Sequence, residues 1–223
     1  MSDMKKATDG RLFTILSGLV VLVCLIAAFI LYPQLPEQVP SHWNAAGEID
    51  GYMGRLGGAF LMPSIMLGLF IVLWIVPKID PKKANYQQMG KVYSLVVFAI
   101  TLFMGAIYVG TIAAVYGYKM AVPRIAMTGI GLLLIILGNY MGKIKYNYTF
   151  GIRTPWTLAN EEVWYKTHRV MAPLWVVGGV ILLPVSFLPS RWTMPLILGV
   201  SLVLSIGSMA YSFIAYRKVL KGL

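Results

Sequence analysis

Six stretches of almost unbroken apolar residues divide the chain, at approximately 12–32, 58–76, 92–115, 122–141, 170–188 and 193–216, with charged and turn-forming residues collected between them. About 20 apolar residues rising about 1.5 Å each cross a hydrocarbon core about 30 Å thick, so every stretch has the length of a spanning helix. None alternates with the period of two that a barrel strand needs, and in lipid only helices and closed barrels satisfy their own backbone hydrogen bonds. The pattern predicts an all-α integral membrane protein with six transmembrane helices. Lys5, Lys6 and Arg11 precede the first stretch as they would in a signal peptide. Its 21 residues exceed the usual apolar core of such a peptide, and no small-x-small cleavage site stands before Tyr32 and Pro33, so it reads as a retained anchor.

Two of the connecting segments are too long and too particular to be simple tethers. The first, 33–57, carries Pro33, Pro36 and Pro40, which set an extended course, followed by Asn44-Ala45-Ala46-Gly47 and Asp50-Gly51, which are turn chemistry. An ordered cap over the membrane surface is expected there. The fourth, 142–169, holds Pro155, which breaks any helix behind it, and then Thr157 and Asn160, either of which can cap a new helix. Glu161 and Glu162 fall at the positive end of that helix's dipole. Glu162 and Lys166 are four apart, as are Trp164 and His168, giving one ion-paired and one aromatic side. A short interfacial helix is expected before the fifth span.

Composition removes whole classes of function. The chain is 58% hydrophobic, 12% charged and has a mean hydropathy of +0.74, far from a water-soluble domain or a disordered one. The net charge of +11 makes no continuous stripe that tracks phosphates, so no direct nucleic-acid partner is expected, only membrane lipids and whatever the loops bind. Sorted by loop, 15 of the 19 basic residues lie in the N-terminus, the second and fourth loops and the C-terminus, whereas Arg55, Lys119, Arg124 and Arg191 lie on the other side. By the positive-inside rule both termini face the cytoplasm, loop 33–57 is extracytoplasmic and loop 142–169 is cytoplasmic. The protein is expected to be a multi-pass protein of the plasma membrane.

Candidate chemistry is sparse. Cys24, the lone cysteine, lies within an apolar run and reads as a buried small hydrophobe. Tyrosines and tryptophans near the run ends suit an interfacial belt, and glycines such as Gly131 and Gly179 allow close helix approach. Mid-membrane ionisable residues are almost absent, which disfavours a transporter, and Arg124 is near enough to an end to snorkel. His42, Glu48 and Asp50 are metal-capable side chains without regular spacing, and hydrogen-bonded turn architecture or a partner surface is the expected role. Trp43 and Tyr52 fit either the headgroup layer or a partner contact. Glu161, Glu162 and His168 lack an H-E-x-x-H spacing and a neighbouring nucleophile, so capping and ion pairing are expected in place of catalysis. Arg153, between Gly151 and Pro155, is placed to bind lipid phosphate or to bridge to Glu161. His42 and His168 fall on opposite faces and cannot share a ligand. No catalytic residue, metal or cofactor is assigned; a membrane-embedded metal-dependent enzyme using His42 with Asp50 or Glu161 with His168 is the alternative, and a transporter ranks below it.

The fourth loop resembles the signature of the SdpI family of bacterial membrane immunity proteins, in Gly138-Asn139-Tyr140-Met141, Asn147-Tyr148, Gly151-Ile152-Arg153-Thr154-Pro155-Trp156-Thr157-Leu158, Asn160-Glu161-Glu162-Val163-Trp164 and Thr167-His168-Arg169. The first loop, in Pro40-Ser41-His42-Trp43-Asn44, Gly47 and Asp50-Gly51-Tyr52, is similar to an uncharacterised N-terminal module that often precedes that signature. The resemblance implies two modules, residues 1–91 with two helices and residues 92–223 with four. It implies protection against a secreted peptide toxin and, in the founding type, capture of a cytoplasmic autorepressor at the membrane. On that basis His42, Trp43, Asn44, Glu48, Asp50 and Tyr52 are the expected toxin-facing residues. Asn139, Tyr140, Asn147, Arg153, Thr154, Pro155, Trp156, Asn160, Glu161, Glu162, Trp164, His168 and Arg169 form the expected cytoplasmic motif.

Overall fold

The computed structural model describes residues 2–44, 46–118, 120–188 and 190–222, with side chains from 10 to 188 in those ranges and from 192 to 222. Ala45, Lys119 and the side chains of Lys5, Lys6 and Arg191, on which expectations above rest, lie outside the described residues. In chain order the elements are α1 (Ser2–Leu31), a single 3-10 turn (Tyr32–Gln34), β1 (Gln38–Trp43), β2 (Ile49–Gly54), α2 (Arg55–Ile79), α3 (Lys83–Val115), α4 (Val122–Met141), α5 (Pro155–Ala159), α6 (Glu161–Val185) and α7 (Ser190–Leu220). Among the described residues, six of the seven α-helices, all but the five-residue α5, are long and apolar enough to cross a bilayer. The chain is a six-span membrane protein, and large side chains such as Leu22, Val23, Phe29, Leu202, Val203 and Ile206 stand half exposed or more along its outside. Such continuous apolar surface is compatible with hydrocarbon and not with water.

Two expectations change in detail. The first loop is a β-hairpin: β1 and β2 pair antiparallel, with Val39 opposite Met53, Pro40 opposite Tyr52 and Trp43 opposite Ile49, and with an irregular register around His42. Pro40 has no N–H to give, but in a two-stranded sheet both strands are edges and tolerate it. The short helix expected after a Thr157 or Asn160 cap and before the fifth span is instead continuous with that span: α6 begins at Glu161 and runs through Pro173 without a break. A proline inside a spanning helix frees one carbonyl four residues earlier, which neighbouring groups can satisfy, so it need not end the helix. The separate short helix is α5, capped by Thr154 in a reciprocal capping box with Thr157.

Close backbone approach sets the packing. An added Cβ on Gly138 would lie 2.7 Å from the Ala172 carbonyl oxygen, and one on Gly179 would lie 2.5 Å from that of Gly131, so α4 and α6 touch almost backbone to backbone. The approach of α1 to α3 is looser: an added Cβ on Gly10 would lie in ordinary contact, 3.4 Å from the Gly90 carbonyl carbon. Cys24 is buried, as its apolar surroundings imply. One core cluster, containing Val21, Leu35, Val39, Met66 and Tyr108, lies under the hairpin. A second, containing Tyr86, Met89, Tyr93, Ile144 and Trp164, lies under loop 142–160 at the other end. Helix α3 contributes to both.

Candidate functional sites at the two ends

The hairpin is anchored on one side and open on the other. Val39 is fully buried, and a Cβ on Gly58 would overlap its side chain, so β1 lies directly on the first turn of α2. At the tip, the Asn44 side-chain oxygen accepts from the N–H groups of Ala46 at 2.9 Å and Glu48 at 3.0 Å, while its amide donates to Glu48 Oε2 at 3.0 Å. Gly47 takes the positive φ of 84° that closes this turn. Asn44 and Glu48 therefore hold the tip's shape. His42 Nδ1 lies 2.5 Å from Asp50 Oδ1 across the strands, with the two side chains 71% and 44% exposed. Tyr52 is exposed and Trp43 half-buried. Among the described residues no three His, Cys, Asp or Glu side chains converge as a metal site would require. All six expected hairpin residues thus come together on one small element.

The opposite end is built around buried polar groups. Asn147 is fully buried: its amide donates to the Lys145 carbonyl at 2.8 Å and the Phe150 carbonyl at 2.9 Å, and its oxygen accepts from the N–H groups of Thr149 and Phe150. His168, 1% exposed, accepts at Nε2 from the Ile152 N–H at 3.0 Å and donates from Nδ1 to the Trp164 carbonyl at 2.8 Å. Both ring nitrogens are thereby used, which fixes one neutral tautomer and leaves no lone pair for a metal or a proton transfer. Trp164, also fully buried, donates to the Ile144 carbonyl at 3.0 Å and stacks on His168 with ring centroids 4.2 Å apart. Trp164, expected as part of a cytoplasmic motif, does not face the cytoplasm: the indole is the centre of this cluster. Gly151, at φ 118°, passes so close that a Cβ would sit 2.5 Å from His168 Nε2.

Other motif residues cap and brace. Asn160 caps α6 by accepting from the N–H groups of Glu162 and Val163, and Glu162 pairs with Lys166 at 2.9 Å. Thr154 Oγ1 donates to Ser212 Oγ at 2.9 Å, and Trp156 meets Phe213 at 5.1 Å between ring centroids, so α5, which starts at Pro155, leans on α7. Arg153 donates to the Tyr148 carbonyl at 3.2 Å, and Glu161 accepts from the Tyr165 hydroxyl at 3.3 Å, so each has a partner other than the expected bridge between them. Glu161 and His168 likewise do not meet. Asn139, Arg153, Glu161, Glu162 and Arg169 are exposed, and Tyr140 is half-buried with Lys143 Nζ 5.0 Å from its ring centre.

Asp80 is the residue that sequence reasoning missed. Buried at the end of α2, it accepts from the Thr149 hydroxyl at 2.6 Å, the Lys82 N–H at 2.7 Å, and the Tyr148 N–H and Tyr86 hydroxyl at 3.1 Å each. Burial alone would raise its pKa; the hydrogen bonds from Thr149, Lys82, Tyr148 and Tyr86 outweigh that and hold the carboxyl below its ordinary value. Asn85 adds a bond of 2.7 Å to the Tyr146 carbonyl. These contacts put the α2–α3 turn and loop 142–160 at one end of the molecule, about 37 Å from the hairpin along the 25 residues of α2. The one signal in the sequence is that Asp80 is the sole carboxylate between Asp50 and Glu161.

Comparison with known proteins gives a consistent picture. The model of the SdpI/YfhL protein family matches residues 143–212, and that of a domain of unknown function, DUF1648, matches residues 19–67. The chain is 26% identical over 205 residues to the Immunity protein SdpI of Bacillus subtilis (strain 168), covering 90% of this chain and 95% of that protein. It is 32% identical over 95 residues to the Uncharacterized membrane protein YbgB of the same organism, covering 41% of this chain and 94% of that protein. No solved structure gives a significant match.

Proposed function

The chain belongs to the SdpI/YfhL protein family, and from that premise we propose that it is an immunity protein that protects a bacterial cell from a secreted, amphipathic peptide toxin. The observation that carries this reading is the similarity to the Immunity protein SdpI along nearly the full length of both chains. With loop 142–169 inside, as the distribution of basic residues implies, the hairpin faces the exterior. There Trp43 and Tyr52 offer aromatic surface to a peptide, His42 and Asp50 offer an exposed polar pair, and Asn44 and Glu48 keep the tip in shape. Residues 1–91 then act as the toxin-facing module and residues 92–223 as its membrane and cytoplasmic base.

A second role, holding a cytoplasmic repressor at the membrane, is favoured by the exposed Arg153, Glu161, Glu162 and Arg169 at the loop-four end. Asn147, Trp164 and His168 support that surface from below and do not touch a partner.

The test is survival of a sensitive strain challenged with a panel of membrane-depolarising amphipathic peptides, with and without the chain at matched membrane levels. Protection against at least one peptide, reduced about tenfold or more by Trp43→Ala, His42→Ala or Asp50→Ala, is the expected result. No protection by the wild-type chain overturns immunity; full protection by all three variants removes the hairpin from the mechanism. For the second role, a repressor fusion that stays diffuse in protected, toxin-treated cells overturns it.

A further inference from the structure

Between α1, α3 and α4, at the loop-four end, lies an open cleft of about 1120 Å³. Arg11, Lys91 and Lys143 stand on its walls, and no carboxylate lines it among the described residues. Trp74, on its rim, carries Lys78 Nζ 2.8 Å above its ring centre, adding a fourth cation beside the opening. Gln87 and Gln88 bring neutral amide donors. The cleft does not end there. Thr14, Trp74, Gly90 and Ser94 line both it and a smaller pocket of about 190 Å³ that runs between α1, α2 and α3 to Phe70 and Val97.

A cationic mouth with amide donors that opens into an apolar slot between spanning helices has the chemistry of an anionic amphiphile. In a six-span protein, whose neighbours are lipids, we propose that this cleft binds an acidic phospholipid: its phosphate lies against Arg11 and Lys143 and part of an acyl chain enters toward Phe70 and Val97. Basic pockets between spanning helices at the positively charged end select acidic headgroups, because each nearby cation favours the anionic lipid over a zwitterionic one of equal chain length. The cleft alone, about 1120 Å³, is slightly larger than the roughly 300–1,000 Å³ of a typical small-ligand site, as a two-chain amphiphile requires. The aromatic rings of Trp74 and Tyr140 stand where a headgroup layer would meet the chain. This assignment is independent of the immunity reading, since it concerns the opposite end from the hairpin.

The experiment is native mass spectrometry of the delipidated full-length protein titrated with phosphatidylglycerol, with phosphatidylcholine of the same chains, and with glycerol phosphate as the headgroup alone. Phosphatidylglycerol is expected to bind at least tenfold more tightly than phosphatidylcholine, and glycerol phosphate much more weakly than either. The double variant Arg11→Gln/Lys143→Gln is expected to lose about tenfold of the phosphatidylglycerol affinity and a smaller factor of the phosphatidylcholine affinity, whose phosphate is offset by its own quaternary ammonium. Lys218→Gln/Lys221→Gln, which removes the same charge in the last turn of α7 and just after it, is expected to change neither. Gly90→Leu is the second variant: a Cβ there meets nothing within 4 Å, so the branch point of the added side chain fits in the shared wall, and its bulk is expected to lower binding of both lipids. Equal affinity for the two phospholipids, unchanged phosphatidylglycerol binding in both cleft variants, or an equal loss in the α7 variant overturns the site. So does displacement of the lipid by a polyglutamate peptide at lower concentration than by phosphatidylglycerol itself, which would assign the cleft to an acidic protein segment.

Discussion

The two ends of this molecule use polar side chains in opposite ways. On the hairpin, His42 and Asp50 meet each other in the open, and Tyr52 stands exposed beside them. At the other end Asn147, Thr157 and His168 are buried within 1% of fully, with Asp80 close behind, and each has two or more hydrogen bonds. A polar group removed from water must be paired or it destabilises the fold, whereas an exposed pair contributes little to stability because water competes for it. Dense motif residues are therefore a framework at one end and a presented surface at the other. Substitutions should separate them: loss of folding at the first, loss of partner binding with intact folding at the second.

The largest effect is expected from Trp164→Ala, which empties the centre of the framework and orphans the Ile144 carbonyl. About 3–5 kcal/mol of stability should be lost, read as a much lower unfolding temperature of the detergent-solubilised protein. Asp80→Ala comes next, at about 2–3 kcal/mol, because it removes an acceptor shared by four donors. Asp80 also sets a pH limb. Its folded pKa is lowered, so the stability it provides is complete above the ordinary carboxylate range and is lost as pH falls through the lowered value. Acid titration of unfolding temperature should show that limb in the wild type and not in Asp80→Asn.

Gly151→Ala should follow at about 1–3 kcal/mol, since its φ of 118° and its approach to His168 both exclude a side chain. Lys166→Ala, which breaks only the exposed pair with Glu162, should cost about 0.5 kcal/mol or less. His42→Ala should lie in the same small range in an unfolding assay while reducing protection about tenfold. A stability loss at His42 as large as at Trp164 would erase the contrast between the ends.

Much of the fold was legible because hydrocarbon thickness imposes a length on every span, and six runs have it. The Asn160 cap and the Glu162–Lys166 pair were legible as well, because both are encoded within one helical turn of sequence. The early start of α3 at Lys83 was not: Asn85, Gln87 and Gln88 are polar and lie outside the apolar run, yet they continue its helix beyond the hydrocarbon. The hairpin was read only as an ordered cap, since its prolines speak for extended chain and not for pairing. Asp80 was invisible for a different reason: its donors Tyr148 and Thr149 come from nearly 70 residues away, and only the tertiary fold brings them together.

Everything asked of the two ends depends on which of them faces outward. In a Cys24→Ser background, Glu48→Cys on the hairpin and Lys166→Cys beside loop 142–160 can each be challenged in intact cells with a membrane-impermeant maleimide. Labelling of Glu48→Cys at once, and of Lys166→Cys only after permeabilisation, is the outcome expected of a hairpin presented to the exterior. Labelling of Lys166→Cys in intact cells with Glu48→Cys protected would contradict it.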